Sequence, residues 1–159
     1  MMKKKILILG IGNYLMGDEG IGVHVANKLS TEKFPDGVSV LDGGTGGFYL
    51  LEYFEQNDIV ILIDATLDGN PPGTIRLIKP KFAADFPAAM STHDIGLKDL
   101  VSALQLLNKM PEIHLFVISI NSIQQQGIEL TKDVQDAFFK VIEKIKEMVN
   151  SYFLPQANN

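Results

Sequence analysis

Three short apolar runs, the first two each followed by a helical pattern, constrain the fold of this chain most strongly. The runs are Lys5 to Leu9, Val38 to Leu41 and Asp58 to Ile63, and they lead directly into Gly10, Asp42 and Asp64. Runs of this length and composition are typical of buried β-strands. Because a helix between two strands returns the chain to the same end of the sheet, we expect the three strands to be parallel and to end at one shared edge.

Two further strands and two further helices complete the predicted domain. The segment "TLDGNPPG" is too short for a crossover helix, so the strand from Thr74 to Ile78 should be antiparallel and lie at a sheet edge, whereas Ile113 to Ile120 should be the last strand. Apolar residues at helical spacing predict one helix through Leu97, Leu100, Val101, Leu104 and Leu107 and another after Thr131, its expected N-cap.

The predicted fold class is therefore α/β. We expect a single-domain three-layer sandwich over residues 1–159, with a twisted, mostly parallel five-stranded sheet, one antiparallel edge strand and helices on both faces. The composition of the end after about residue 154 predicts disorder. A length of 159 residues with 46% hydrophobic composition is sufficient for one continuous core.

The charge balance and the absence of cysteine exclude several classes of function. The formal net charge of -5 disfavours binding of nucleic acid, which requires a basic surface. A chain with no cysteine has no disulfide, no thiolate metal site and no cysteine nucleophile. The apolar run after the basic start is too short for a signal peptide, and no segment has the length of a membrane span, so we expect a cytoplasmic protein without membrane insertion.

The loop "GIGNYLMGDEGIGV", from Gly10 to Val23, first suggests a phosphate-binding turn. Leu15 occupies the position where a dinucleotide fingerprint needs its third glycine, and Asp18 and Glu19 would repel a phosphate, so a nucleotide-binding enzyme is disfavoured. Neither a Walker loop nor a GxSxG serine elbow is present. In the simplest alternative, the glycines permit a tight strand-to-helix turn and the two acids stabilise the helix N-terminus.

Acidic residues at the shared sheet edge raise a second possibility, a metal site. Glu19 and Asp64 should face each other across the crevice beyond the first and third strands, and His93, in the loop "STHD", could reach it. Two oxygens and one nitrogen suit a first-row divalent ion. His24 is expected to be a surface or packing residue and His114 a structural residue of the last strand. From spacing alone, the metal site and the simple turn both remain open.

The same segments resemble the signature blocks of the hydrogenase maturation endopeptidases. The matching blocks are "ILGIGNYLMGDEGIGV", "LDGGTGG", "VILIDATLDGNPPGTI" and "STHDIGL", in order and with compatible spacing. The resemblance implies an endopeptidase that removes the C-terminal extension of a nickel-iron hydrogenase large-subunit precursor after nickel insertion. It also implies a monomer with a mixed sheet flanked by helices.

By this resemblance Glu19, Asp64 and His93 fall on the three metal-binding positions of the family. The metal would be nickel supplied by the substrate, for which other divalent first-row ions could substitute. Asp42 matches another acid of the family and could act as general base toward water, but an equally good interpretation is a turn-forming aspartate that binds nearby amides.

The resemblance weakens after the last strand, where this chain has "SINSIQQQGIELTKDV". This difference leaves open which hydrogenase is served. An alternative from another class is a metal-dependent chaperone that grips the immature large subunit without cleaving it.

Overall fold

The computed structural model describes residues 4–87, 97–121 and 126–154. Within them, five strands form one sheet: β1 (Ile6–Gly10), β2 (Val38–Asp42), β3 (Ile59–Thr66), β4 (Ile75–Ile78) and β5 (Glu112–Ser119). The α-helices of the described residues are α1 (Ile21–Leu29), α2 (Leu51–Glu55), α3 (Leu97–Leu106) and α4 (Lys132–Ser151). None of these helices is both long enough and apolar enough to cross a membrane.

The strand order is β2-β1-β3-β5-β4. All neighbouring pairs are parallel except β4 and β5, which are antiparallel, so β4 is the predicted antiparallel edge strand. Because β2 lies on one side of β1 and β3 on the other, the direction of winding reverses between β1 and β3. Open α/β sheets have their ligand crevice beyond the carboxyl ends of the strands at this reversal point.

Helices cover both faces of the sheet, and each face has its own buried cluster. Isoleucines of β1, β3 and β5 pack with α1 and α4 on one face, and leucines and valines of the same strands pack with α2 and α3 on the other. Strands buried on both faces are uniformly apolar, because alternate side chains enter opposite clusters. The predicted α/β fold with a three-layer arrangement is confirmed.

The backbone of α1 lies directly against the end of β1. A Cβ atom on Gly10 would lie 2.0 Å from the carbonyl oxygen of Gly22, and one on Gly22 would lie 2.3 Å from the carbonyl oxygens of Ile11 and Ile63. Atoms of these types cannot approach so closely, so both positions require glycine. Gly22 thus permits the close packing of helix on strand that the third glycine of a dinucleotide fingerprint usually provides.

Three details differ from the sequence predictions. Asp18 and Glu19, expected at the N-terminus of the first helix, lie in a 3₁₀ turn, Gly17–Gly20, and α1 begins after it at Ile21. Leu107 lies beyond the end of α3 and is exposed. Thr131 has the N-cap position of α4, but its side chain makes no capping hydrogen bond because it binds Asp18 instead.

We expect Gly22→Ala to lower the free energy of unfolding by about 3 kcal/mol or more, because α1 must move away from the sheet to admit the methyl group. Gly69→Ala is the matched control: Gly69 has a φ of +80°, and a methyl group added there would meet no atom within 4 Å. It should cost about 1 kcal/mol, the penalty of a left-handed conformation. Urea unfolding followed by circular dichroism measures both; equal losses would contradict the close-packing explanation.

Candidate active site

Glu19 lies in the 3₁₀ turn that joins β1 to α1, and the turn is fixed by close backbone contacts. Gly12 has a φ of +151°, and a Cβ atom there would lie 2.2 Å from the carbonyl oxygen of Glu19. The turn packs against β3, and the Glu19 side chain is completely buried. The glycines of the loop therefore place an acidic side chain inside the protein at the carboxyl end of β1.

Asp64 occupies the matching position on the neighbouring strand. β3 pairs with β1 up to Ile63, whose carbonyl oxygen accepts a hydrogen bond of 3.0 Å from the Ile11 amide. Asp64 follows at once and is completely buried. Its Oδ1 accepts a hydrogen bond of 2.7 Å from the Ala65 amide, whereas its Oδ2 has no hydrogen-bond partner among the described residues.

The structure thus brings two of the three predicted metal ligands to the reversal point of the sheet. His93 lies in residues 88–96, outside the described residues, and its place in the site remains a prediction from the sequence. In the described part of the chain, no three histidine, aspartate or glutamate side chains are grouped as a metal site. A buried carboxylate with one unsatisfied oxygen, that of Asp64, nevertheless fits a cation, because unpaired buried charge is costly.

Asp42 ends β2 at the same sheet edge, directly opposite Gly10 in the parallel register. The residue is exposed, and its Oδ1 accepts a hydrogen bond of 2.9 Å from the Gly44 amide. The Tyr49 hydroxyl donates to the Gly43 carbonyl oxygen and so ties down the same glycine-rich loop. Burial raises the pKa of the Tyr49 phenol, and the Asp42 carboxylate raises it further. Asp42 therefore makes the hydrogen bond expected of a turn-forming aspartate, and its carboxylate is also accessible to water.

Asp18 connects the first loop to the last helix. Its two carboxylate oxygens accept hydrogen bonds of 2.8 Å from the backbone amide and from the hydroxyl of Thr131. Asp18 was expected to stabilise the N-terminus of the helix that follows it, whereas its carboxylate binds Thr131, the residue before α4. A buried carboxylate with both oxygens bonded fixes two segments that are 113 positions apart.

His24 and His114, the two histidines that the structure describes, contact residues other than Glu19 and Asp64. His24 is half-buried and packs against the ring of Tyr14, with a centroid distance of 4.8 Å. Burial lowers the pKa of His24, although a backbone hydrogen bond with Ile128 and the charge of Asp18 oppose the shift. The Nε2 atom of His114 lies 3.0 Å from the Tyr152 hydroxyl, between β5 and α4. Both residues have the packing and structural roles expected from the sequence.

Comparison with known proteins agrees with this fold. The sequence profile of a family described as hydrogenase maturation protease matches residues 23–148, a range that includes Asp42, Asp64 and His93. The hydrogenase expression/formation protein HupD of Bradyrhizobium diazoefficiens is 39% identical over 83% of this chain and 71% of its own length. The hydrogenase 2 maturation protease of Escherichia coli is 35% identical over 89% of this chain and 88% of its own length.

A solved structure has the same architecture. The hydrogenase maturating endopeptidase HybD from Escherichia coli superposes with a TM-score of 0.81 and 33% identity, over 92% of this chain and 93% of that one. The chain belongs to the hydrogenase maturation protease family. The enzyme is an endopeptidase, and the resemblance found in the sequence blocks is confirmed.

We expect Asp64→Asn to raise the free energy of unfolding by about 1 kcal/mol, because Oδ2 of Asp64 has no hydrogen-bond partner among the described residues and an amide of the same shape is less costly to bury than an ionised carboxylate. Asp18→Asn is the matched control: both Asp18 oxygens are bonded, so the same change should lower stability by about 1–2 kcal/mol. Urea titration at neutral pH measures both. A loss of stability in Asp64→Asn as large as that in Asp18→Asn would contradict this account of the site.

Proposed function

We propose that this endopeptidase removes the C-terminal extension of a nickel-iron hydrogenase large-subunit precursor after nickel insertion, and that it recognises the bound nickel through Glu19, Asp64 and His93. The observation that carries the proposal is Oδ2 of Asp64, which has no hydrogen-bond partner in residues 4–87, 97–121 and 126–154 and lies at the reversal point of the sheet beside the turn that holds Glu19. Membership of the maturation protease family supports the substrate class.

The chemistry of the two carboxylates supports a metal borne by the substrate. Carboxylate oxygens and an imidazole nitrogen together suit a first-row divalent ion. Glu19 and Asp64 have no exposed surface in the free enzyme, so the groups around them must separate when a metal-bearing segment engages them. A precursor without metal would bring no positive charge to offset the burial of Asp64, and its complex would be weaker.

Hydrolysis requires a water oxygen to attack the scissile carbonyl carbon and a proton to reach the departing amine. Asp42 supports this role by its position, since it is exposed at the strand edge shared with β1. Its hydrogen bond from Gly44 uses one oxygen and orients the carboxylate, and an ionised carboxylate can accept further hydrogen bonds. Asp42 would accept the proton of the attacking water and return it to the amine. Engagement of nickel would place the scissile bond beside it.

We expect wild-type enzyme to cleave nickel-loaded precursor and to leave the nickel-free precursor intact. Glu19→Ala and His93→Ala should each lower kcat/KM for the loaded form by about a hundredfold, the loss of a strong charged contact. The intact mass of the precursor after incubation reports cleavage. Leu106→Ala, on the exposed end of α3, is the control that should process like wild type. Equal processing of both precursor forms by the wild type would refute metal-gated recognition.

Asp42→Asn should lower kcat by about a hundredfold or more while the complex with loaded precursor still forms, because an amide can make the turn contact but cannot accept the proton. Single-turnover cleavage measures the first quantity and a pull-down of the loaded precursor the second. Asp68→Asn, in the turn before β4, serves as the control acid of another loop. Retained turnover in Asp42→Asn would leave Asp42 with only its turn-forming role.

A further inference from the structure

Large apolar side chains are exposed on the two loops beside the Glu19 turn. The exposed fractions are 39% for Tyr14, 65% for Leu15 and 48% for Ile128. Neither of the two buried clusters of the sheet includes any of the three. We call these three side chains the rim patch. They lie outside the core, and apolar side chains that form a contiguous exposed patch mark surfaces where partners bind.

The two loops meet through a short parallel bridge between Met16 and Gly127. The Gly17 amide donates to the Gly127 carbonyl oxygen at 2.7 Å, and the Gly127 amide donates to the Leu15 carbonyl oxygen at 2.8 Å. Leu15 and Ile128 each lie one residue from the bridge, so the backbone holds the two exposed side chains close together. The ring of His24 contacts the ring of Tyr14 and makes a hydrogen bond with the backbone of Ile128. His24 thus connects Tyr14 to Ile128.

The loops are held in place before any partner arrives. The bridge fixes one end of residues 127–131, and the paired hydrogen bonds from Thr131 to Asp18 fix the other. Docking on an ordered surface loses less conformational entropy than docking on a loop that must fold at the interface. The rim patch is therefore organised for binding.

A cavity of about 420 Å³ adjoins the rim patch, because Ile128 lines it together with His24, Glu129, Leu130, Gln135 and Phe138. The Nε2 atom of His24 has no hydrogen-bond partner among the described residues. Burial lowers the pKa of His24 and so favours its neutral ring, in which this atom can accept a hydrogen bond. The cavity could hold one partner side chain with an apolar body and a donor at its end.

We propose that the rim patch is the docking surface for the large-subunit precursor, on the part of its surface that surrounds the nickel-bearing C-terminus. The inference rests on the proposed function. Leu15 precedes Glu19 by only four residues on the same loop. A folded protein that delivers a metal ion to Glu19 must therefore meet this loop, and an apolar surface there favours an apolar partner surface.

The test measures steady-state cleavage of nickel-loaded precursor by wild type, Leu15→Glu, Ile128→Glu and Leu106→Glu. Each rim substitution should raise KM roughly tenfold and leave kcat unchanged, because a central apolar contact contributes to binding and not to the chemical step. Leu106 is 88% exposed at the far end of α3, so Leu106→Glu controls for an added charge on an exposed leucine. It should match wild type in both parameters.

Thermal unfolding and direct binding separate the outcomes. We expect the melting temperatures of the rim variants to equal that of wild type, because the replaced side chains are exposed. Equal melting temperatures would exclude loss of folding as the cause of a raised KM. Normal KM values in both rim variants, or an equal increase in Leu106→Glu, would overturn the docking surface while leaving the proposed function intact. If wild type cleaves neither precursor form, the proposed function fails. The docking surface is then tested by biolayer interferometry with the precursor: weaker binding to Leu15→Glu than to wild type would support it, and equal binding would overturn it.

Discussion

The direct contact between the backbones of β1 and α1 determines where every part of the site lies. At Gly10 and Gly22 the backbones of helix and strand are so close that a methyl group on either residue would overlap backbone atoms of the other element. At Gly12 the carbonyl oxygen of Glu19 occupies the place that a Cβ atom would take. With α1 held so close, the short turn between them has little freedom, and its acidic side chain is directed inward beside β3. A larger residue at Gly10 or Gly22 would separate the layers and move the turn with them.

At the carboxyl ends of β1 and β3, acidic side chains are buried in a core that is otherwise mostly apolar. A stable core is mostly apolar, yet Glu19 and Asp64 are both completely buried where the sheet reverses its winding. Asp18 shows the ordinary way to accommodate a buried acid, because both its oxygens are bonded to Thr131. Within the described part of the chain, Oδ2 of Asp64 has no hydrogen-bond partner, and proteins retain such groups where function requires them. The contrast between these two aspartates distinguishes the supporting acid from the candidate ligand.

The sequence predicted the sheet well because its strands are buried on both faces and so form continuous apolar runs. The positions of Asp42 and Asp64 at one edge followed from the parallel topology alone. The role of Asp18 could not be predicted, because its partner Thr131 is remote in the chain and a local pattern favoured the adjacent helix terminus. The packing role of Gly22 was missed for a related reason. Its close contact with the strands lies in α1, farther along the chain than the third glycine of a nucleotide fingerprint. His93 lies outside the described residues, and its part in the site rests on the sequence.

The bond between Asp18 and Thr131 also bears on the order in which the molecule forms. It joins the first and last thirds of the chain, and contacts of such separation close a large loop at high entropic cost. We therefore expect the Asp18–Thr131 contact to form after the local helices and the inner strands have assembled. During synthesis, the loop that carries Glu19 leaves the ribosome long before Thr131, so the rim patch of the nascent chain is not held in place until residues 127–131 have emerged as well.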